Sequence, residues 1–107
     1  MYEFKEKDWK ILRKKVPIWQ ENYMAKLNKE YIELLQRDNN PARNFWDLEE
    51  RIFKDKRRIG VVIDMRRSIM LENILEFLND DVITLDDLDE FSDELKETIK
   101  YMRGRWK

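Results

Sequence analysis

The chain has 107 residues, 42 % of them apolar and 42 % charged, with only 2 Gly and 2 Pro. That length fits one domain over residues 1–107, and the mixture is too apolar for a disordered chain and too charged for a membrane-embedded one. With 0 His and 0 Cys, imidazole acid–base chemistry, thiolate nucleophiles and disulfides are closed off, and 22 Lys+Arg against 23 Asp+Glu leave a formal charge of −1.

The N-terminal MYEFKEKDWK mixes charges of both signs and has no apolar stretch, so it does not read as a secretion signal. The longest apolar run, Val61-Val62-Ile63, falls far short of the ~20 residues of a membrane span. A cytoplasmic protein with no membrane partner is the expectation.

The first element is long. Trp9, Leu12, Val16, Trp19, Tyr23, Leu27, Tyr31 and Leu34 step by threes and fours, the apolar stripe of an amphipathic helix over about residues 6–37. Pro17 falls inside the stripe, where it lacks the N–H for the Arg13 carbonyl and crowds the preceding turn. Either two helices meet there or one helix kinks, and the unbroken phase favours the kink. At 1.5 Å per residue such a helix is about 50 Å long. A compact domain of this size has a radius of gyration near ~13 Å. The helix must therefore protrude, bend, or pair with a second copy, which would make a homodimer through helix one.

Asp38-Asn39-Asn40-Pro41 is a stop and restart, with Asn40 suited to an N-cap and Pro41 to the first helical position. A second helix from Pro41 to about Lys56 is expected to bury Phe45, Trp46, Leu48, Ile52 and Phe53. Gly60 interrupts the pattern. Ile59 to Met65 reads as a loop or a first helical turn. Its β-branched Val61, Val62 and Ile63 would suit a strand, but no other segment alternates to pair with it.

Asp64 is a candidate cap for a third helix, Arg66–Asn79, with Ile69, Met70, Ile74, Phe77 and Leu78 on one face. Asn79-Asp80-Asp81 is a turn. Thr84-Leu85-Asp86-Asp87 matches a capping box, and the last helix then carries Leu85, Leu88, Phe91, Leu95, Ile99 and Met102. Lys100 and Arg103 suit its last turn and Gly104 a left-handed cap, with Arg105 to Lys107 as a tail. The fold class is an all-α bundle of about four helices, the first long and kinked near Pro17.

Charge is unevenly spread. Residues 71–99 hold a single basic residue, Lys96, against 11 acids. Part of this is ordinary solvated helix surface, and acids at 86–90 also complement a helix N-terminus. The sharper reading is a binding face made of Glu76, Asp80, Asp81, Asp86, Asp87, Asp89, Glu90, Asp93, Glu94 and Glu97. Carboxylates on such a face can imitate phosphates and occupy the basic groove of a nucleic-acid-processing protein, associating fast and salt-sensitively. The opposing feature is a basic cluster of Lys54, Lys56, Arg57, Arg58, Arg66 and Arg67, with Arg13-Lys14-Lys15 in the first helix. These residue types contact phosphate, but a sequence pI near 5.6 argues against nucleic acid as the main ligand.

Catalytic and metal motifs are weak. An EF-hand register with Ile83 at loop position eight puts Asp81 where Gly is required, Leu78 at a ligand position and Asp87 where Glu is usual. The carboxylates lie in crowded runs with no pocket to separate their pKa values. Ser68 and Ser92 have no His to activate them, and two isolated glycines make no phosphate loop. The expectation is a non-enzyme with no cofactor and no metal site.

The run from Asp64, DMRRS followed by LENILEFLNDDVITLDDLDEFSDELKE from Leu71 to Glu97, resembles a family of small orphan proteins from Gram-positive bacteria and their mobile elements. The resemblance spans most of the chain and implies no catalytic or binding residue. By size and charge alone the chain is also analogous to small acidic anti-defence inhibitors carried by mobile elements, anti-CRISPR proteins that block Cas nucleases among them. A protein-binding regulator or inhibitor is therefore the leading expectation. The alternatives are a nucleic-acid binder using the basic cluster and a structural homo-oligomer.

Overall fold

The computed structural model describes residues 2–105. Four α-helices follow one another: α1 Glu6–Gln36, α2 Pro41–Asp55, α3 Met70–Asn79 and α4 Asp93–Arg105. Two 3₁₀ turns intervene, Arg67–Ile69 and Leu85–Leu88. Among the described residues there is no strand, and residues 59–65 are turn and loop.

α1 runs unbroken through Pro17. Trp9, Leu12 and Val16 before the proline and Trp19 after it enter one buried cluster. Their burial outweighs the roughly 3 kcal/mol that an interior proline costs. Pro17 and Arg13 are both exposed, so water reaches the carbonyl that the proline leaves without a donor.

The core lies at the N-terminal end of α1. There Trp9, Leu12, Val16 and Trp19 pack with Met70, Ile74, Leu75, Phe77 and Leu78 of α3 and with Leu95 and Ile99 of α4. Ile59, Ile83, Leu88 and Phe91 close it from the connecting segments. Trp19 meets Phe77 edge-on, with centroids 5.2 Å apart. Gln20 donates to the Ile59 carbonyl at 3.0 Å, drawing the loop onto α1. Gly60 is required there, because a Cβ would stand 2.2 Å from the Tyr23 ring.

The expected last helix is divided. Its first part is the 3₁₀ turn Leu85–Leu88, where Asp87 accepts from the Thr84 amide at 2.7 Å. α4 then starts afresh at Asp93. The cause is Asp8 of α1, which is wholly buried. Its carboxylate accepts from the Ser92 amide at 2.8 Å and the Ser92 hydroxyl at 2.7 Å. Ser92 in turn accepts from the Leu95 amide at 3.2 Å and so caps α4.

Two other helix ends differ from expectation. α3 begins at Met70 rather than Arg66, because Arg66 is extended (φ −130°) and a 3₁₀ turn follows. Asp64 is not a cap: its carboxylate pairs with Arg66 at 2.8 Å and its carbonyl accepts from Asn73. Gly104 lies inside α4, which continues to Arg105, while Trp106 and Lys107 of the expected tail are outside the described residues. α3 itself ends in a Schellman motif, with the Val82 amide on the Phe77 carbonyl (2.9 Å) and the Asp81 amide on that of Leu78 (3.1 Å). Asp81 takes the left-handed position, φ 58°, that glycine usually fills.

α2 overturns the expected burial. Phe45, Trp46, Ile52 and Phe53 are exposed and Leu48 is half-buried, while the buried residues of α2 are Asn44 and Asp55. α2 lies antiparallel to the C-terminal half of α1 and meets it through polar groups. Tyr31 donates to Asp55 at 2.6 Å, Arg51 bridges Glu30 (2.7 Å) and Asp55 (3.2 Å), and Arg37 donates to Asn44 at 2.7 Å. No α2 side chain enters the core cluster. The result is a head plus a hairpin arm, with extents of 54 × 28 × 22 Å and a radius of gyration of 16.7 Å.

Candidate interaction surfaces

The acidic residues divide into committed and uncommitted groups. Asp80 pairs with Arg58 at 3.2 Å, and Asp87 is spent on the Thr84 amide. Glu90 pairs with Lys15 of α1, whose ammonium holds the Glu90 carboxyl below the usual carboxylate range. Glu94 accepts from the Glu3 amide at 3.0 Å and from Lys5 at 3.2 Å, which together lower its pKa. Asp93 and Glu97 make only exposed pairs within α4, with Lys96 and Lys100, and such pairs contribute little. Glu76, Asp81, Asp86 and Asp89 are exposed and form no ion pair among the described residues. These four follow the end of α3, the 3₁₀ turn Leu85–Leu88 and the approach to α4.

The basic cluster is engaged within the chain. Lys54 pairs with Glu50 at 3.1 Å, Arg58 with Asp80, and Arg66 with Asp64. Arg67 reaches Glu6 through two hydrogen bonds of 3.1 Å, holding that carboxyl below its usual range, and also covers the Trp9 ring. Lys56 and Arg57 sit over the Phe53 ring, at 5.4 and 4.2 Å from its centroid. Each of these six basic residues faces an acid or an aromatic ring of the same chain, although the exposed Lys54–Glu50 and Arg66–Asp64 pairs contribute as little as those within α4, and Arg13 and Lys14 are exposed with no ion pair among the described residues.

Ser92, considered above as a nucleophile, is instead fixed between Asp8 and α4. Ser68 lines an apolar cleft of about 460 Å³ between Tyr2, Phe4 and Leu71. Among the described residues no group of three or more acids converges to hold a metal ion. Among the described residues no helix is long and apolar enough to cross a membrane.

The feature missing from the sequence reading is the outward face of α2. A signal for it existed. Asn44, Asp47, Arg51 and Asp55 step by threes and fours along one side of α2, and Glu30 of α1 and Arg37 just beyond its end offer them partners. That polar stripe faces α1, so the apolar stripe faces away. The fold thus defines an all-α protein with a helical head and a two-helix arm. No family model, curated protein or solved structure matches the chain, so no residue role comes to it from a relative.

Proposed function

We propose that the chain is a non-enzymatic, cytoplasmic protein-binding regulator that docks its acidic end on a basic surface of a partner. A nucleic-acid-processing protein is the partner whose phosphate-binding groove such an end would fit. The observation that carries this reading is the asymmetry of charge pairing. The basic cluster is engaged inside the chain, whereas Glu76, Asp81, Asp86 and Asp89 present uncommitted carboxylates to solvent. Uncommitted surface charge of one sign accelerates encounter and makes binding salt-sensitive.

The test compares three baits in a Gram-positive lysate at low salt, with and without nuclease. The baits are the wild type, the quadruple change Glu76→Lys/Asp81→Lys/Asp86→Lys/Asp89→Lys, and Arg57→Glu/Arg66→Glu. The quadruple change spares Asp87, Glu90 and Glu94, whose carboxylates hold the fold together. The expected result is a nuclease-resistant partner that is lost from the quadruple variant and retained by the second. A catch that vanishes with nuclease, or is lost only from Arg57→Glu/Arg66→Glu, overturns the reading in favour of nucleic acid at the basic cluster.

A further inference from the structure

α2 is amphipathic in the reverse sense for a helix of a small domain. Its polar side is turned inward on α1, and its apolar side is turned to solvent along its length. Ile32, Leu35, Phe45, Trp46, Ile52 and Phe53 are each 41–62 % exposed. At roughly 200 Å² for a large apolar side chain, these six present about 600 Å². That reaches the top of the range for the largest apolar patch of a monomer, about 300–600 Å².

The charges within this face identify what covers it. Phe45, Leu48, Ile52 and Phe53 line a shallow groove of about 350 Å³ whose remaining walls are Glu49 and Lys56. Glu50 and Lys54 pair with each other on α2. Glu49 and Lys56 make no ion pair among the described residues, and both are exposed. They stand one heptad apart on the same side of the helix, one acid and one base. Two copies laid antiparallel about a two-fold axis near Ile52, at the C-terminal end of α2, bring each Glu49 beside the other's Lys56, the residue that follows the helix. The pattern is self-complementary, as a two-fold interface requires. The groove continues onto α1 through Met24 and Asn28, which share a second cleft with Ile52 and Lys56. Leu35 lies one heptad beyond Asn28, extending the same side of the arm.

We infer that the occupant of this face is a second copy of the chain, docked antiparallel on α2 with Glu49 of each copy paired to Lys56 of the other. The residues of this contact are distinct from those of the acidic end.

Sedimentation velocity over about 1–100 µM, at low salt, tests the inference. The wild type is expected to rise with concentration to twice the 13.4 kDa chain mass. Glu49→Lys and Lys56→Glu are each expected to weaken self-association by about tenfold or more, because each sets like charges together. The combined Glu49→Lys/Lys56→Glu change exchanges the two charges and is expected to restore the dimer. Ile52→Asp is expected to give the single-chain mass throughout, with unchanged helicity by circular dichroism, since Ile52 is outside the core. A single-chain mass for the wild type at every concentration overturns the inference and returns the face to a different partner. A dimer indifferent to the single reversals, or not restored by the combined change, overturns the antiparallel arrangement on α2.

Discussion

Asp8 joins the two ends of the chain. It is a wholly buried carboxylate that receives the Ser92 amide, the Ser92 hydroxyl and, at 2.8 Å, the Tyr2 phenol. Buried carboxylates persist only when their oxygens are supplied with donors, and all three donors here come from other segments. Asp8→Ala removes the acceptor and leaves those donors facing apolar neighbours. It is expected to cost about 3 kcal/mol, read from the urea midpoint. Ser92→Ala keeps the Ser92 amide on Asp8 and is expected to cost only about 1 kcal/mol, the worth of a helix cap. In the sequence Asp8 is one of several charges in a first helical turn. Nothing marks its partner, which lies 84 residues away.

At the scale of the element, periodicity locates helices well and says nothing about which side turns inward. α1 and α3 bury their apolar stripes because each meets another apolar stripe in the head. α2 is tethered to α1 by only a short connection, Arg37–Asn40, and so packs where α1 offers Glu30 and Tyr31 and the connection offers Arg37. Buried Asn44 and Asp55 find partners there, which makes the polar docking tolerable and leaves the apolar side outward. Pro17 shows the complementary case, in which packing on both sides keeps a helix whole against a local penalty. Pro17→Ala restores the missing donor without disturbing the core. It is expected to raise stability by about 1–3 kcal/mol, with a higher thermal midpoint and unchanged far-ultraviolet helicity.

In the whole molecule the apolar core of the head is accompanied by contacts between the N-terminal part of the chain and residues 90–94, and these contacts titrate. The folded pKa values of Glu90 and Glu94 lie below the unfolded carboxylate value of about 4.3. The stability they contribute is present above that value and is lost as pH falls through their folded values. Tyr2 shifts in the opposite sense. Burial, with help from its hydrogen bond to the Asp8 carboxylate, pushes its phenol up to about 12. Its contribution is present below the unfolded value of about 10 and is lost as pH rises towards the folded one. Stability is therefore expected to form a plateau with an acid and an alkaline limb, measured as urea midpoints against pH. Tyr2→Phe is expected to reduce the alkaline slope by up to one proton and leave the acid limb in place. Tyr31, raised by burial and by Asp55, keeps a residual alkaline slope.

The all-α class, the long first helix through Pro17, the break at Asp38–Pro41 and the uneven charge map are all legible in the sequence. They are local properties: stripe phase, capping chemistry and composition. The Asn40 cap is of this kind, and its side chain accepts from the Arg43 amide at 2.7 Å as its position suggests. The division of the last helix at Ser92, the inward turn of Asn44 and Asp55, and the pairing that leaves some acids committed and others free were decided only by tertiary contacts. Each depends on which distant group supplies a donor, an acceptor or a countercharge, as Asp8 does for Ser92, Tyr31 for Asp55 and Lys15 for Glu90. Hydrophobic spacing is invariant to such pairings and does not encode them, and the trace that the sequence carries of the α2 orientation is the polar stripe of Asn44, Asp47, Arg51 and Asp55.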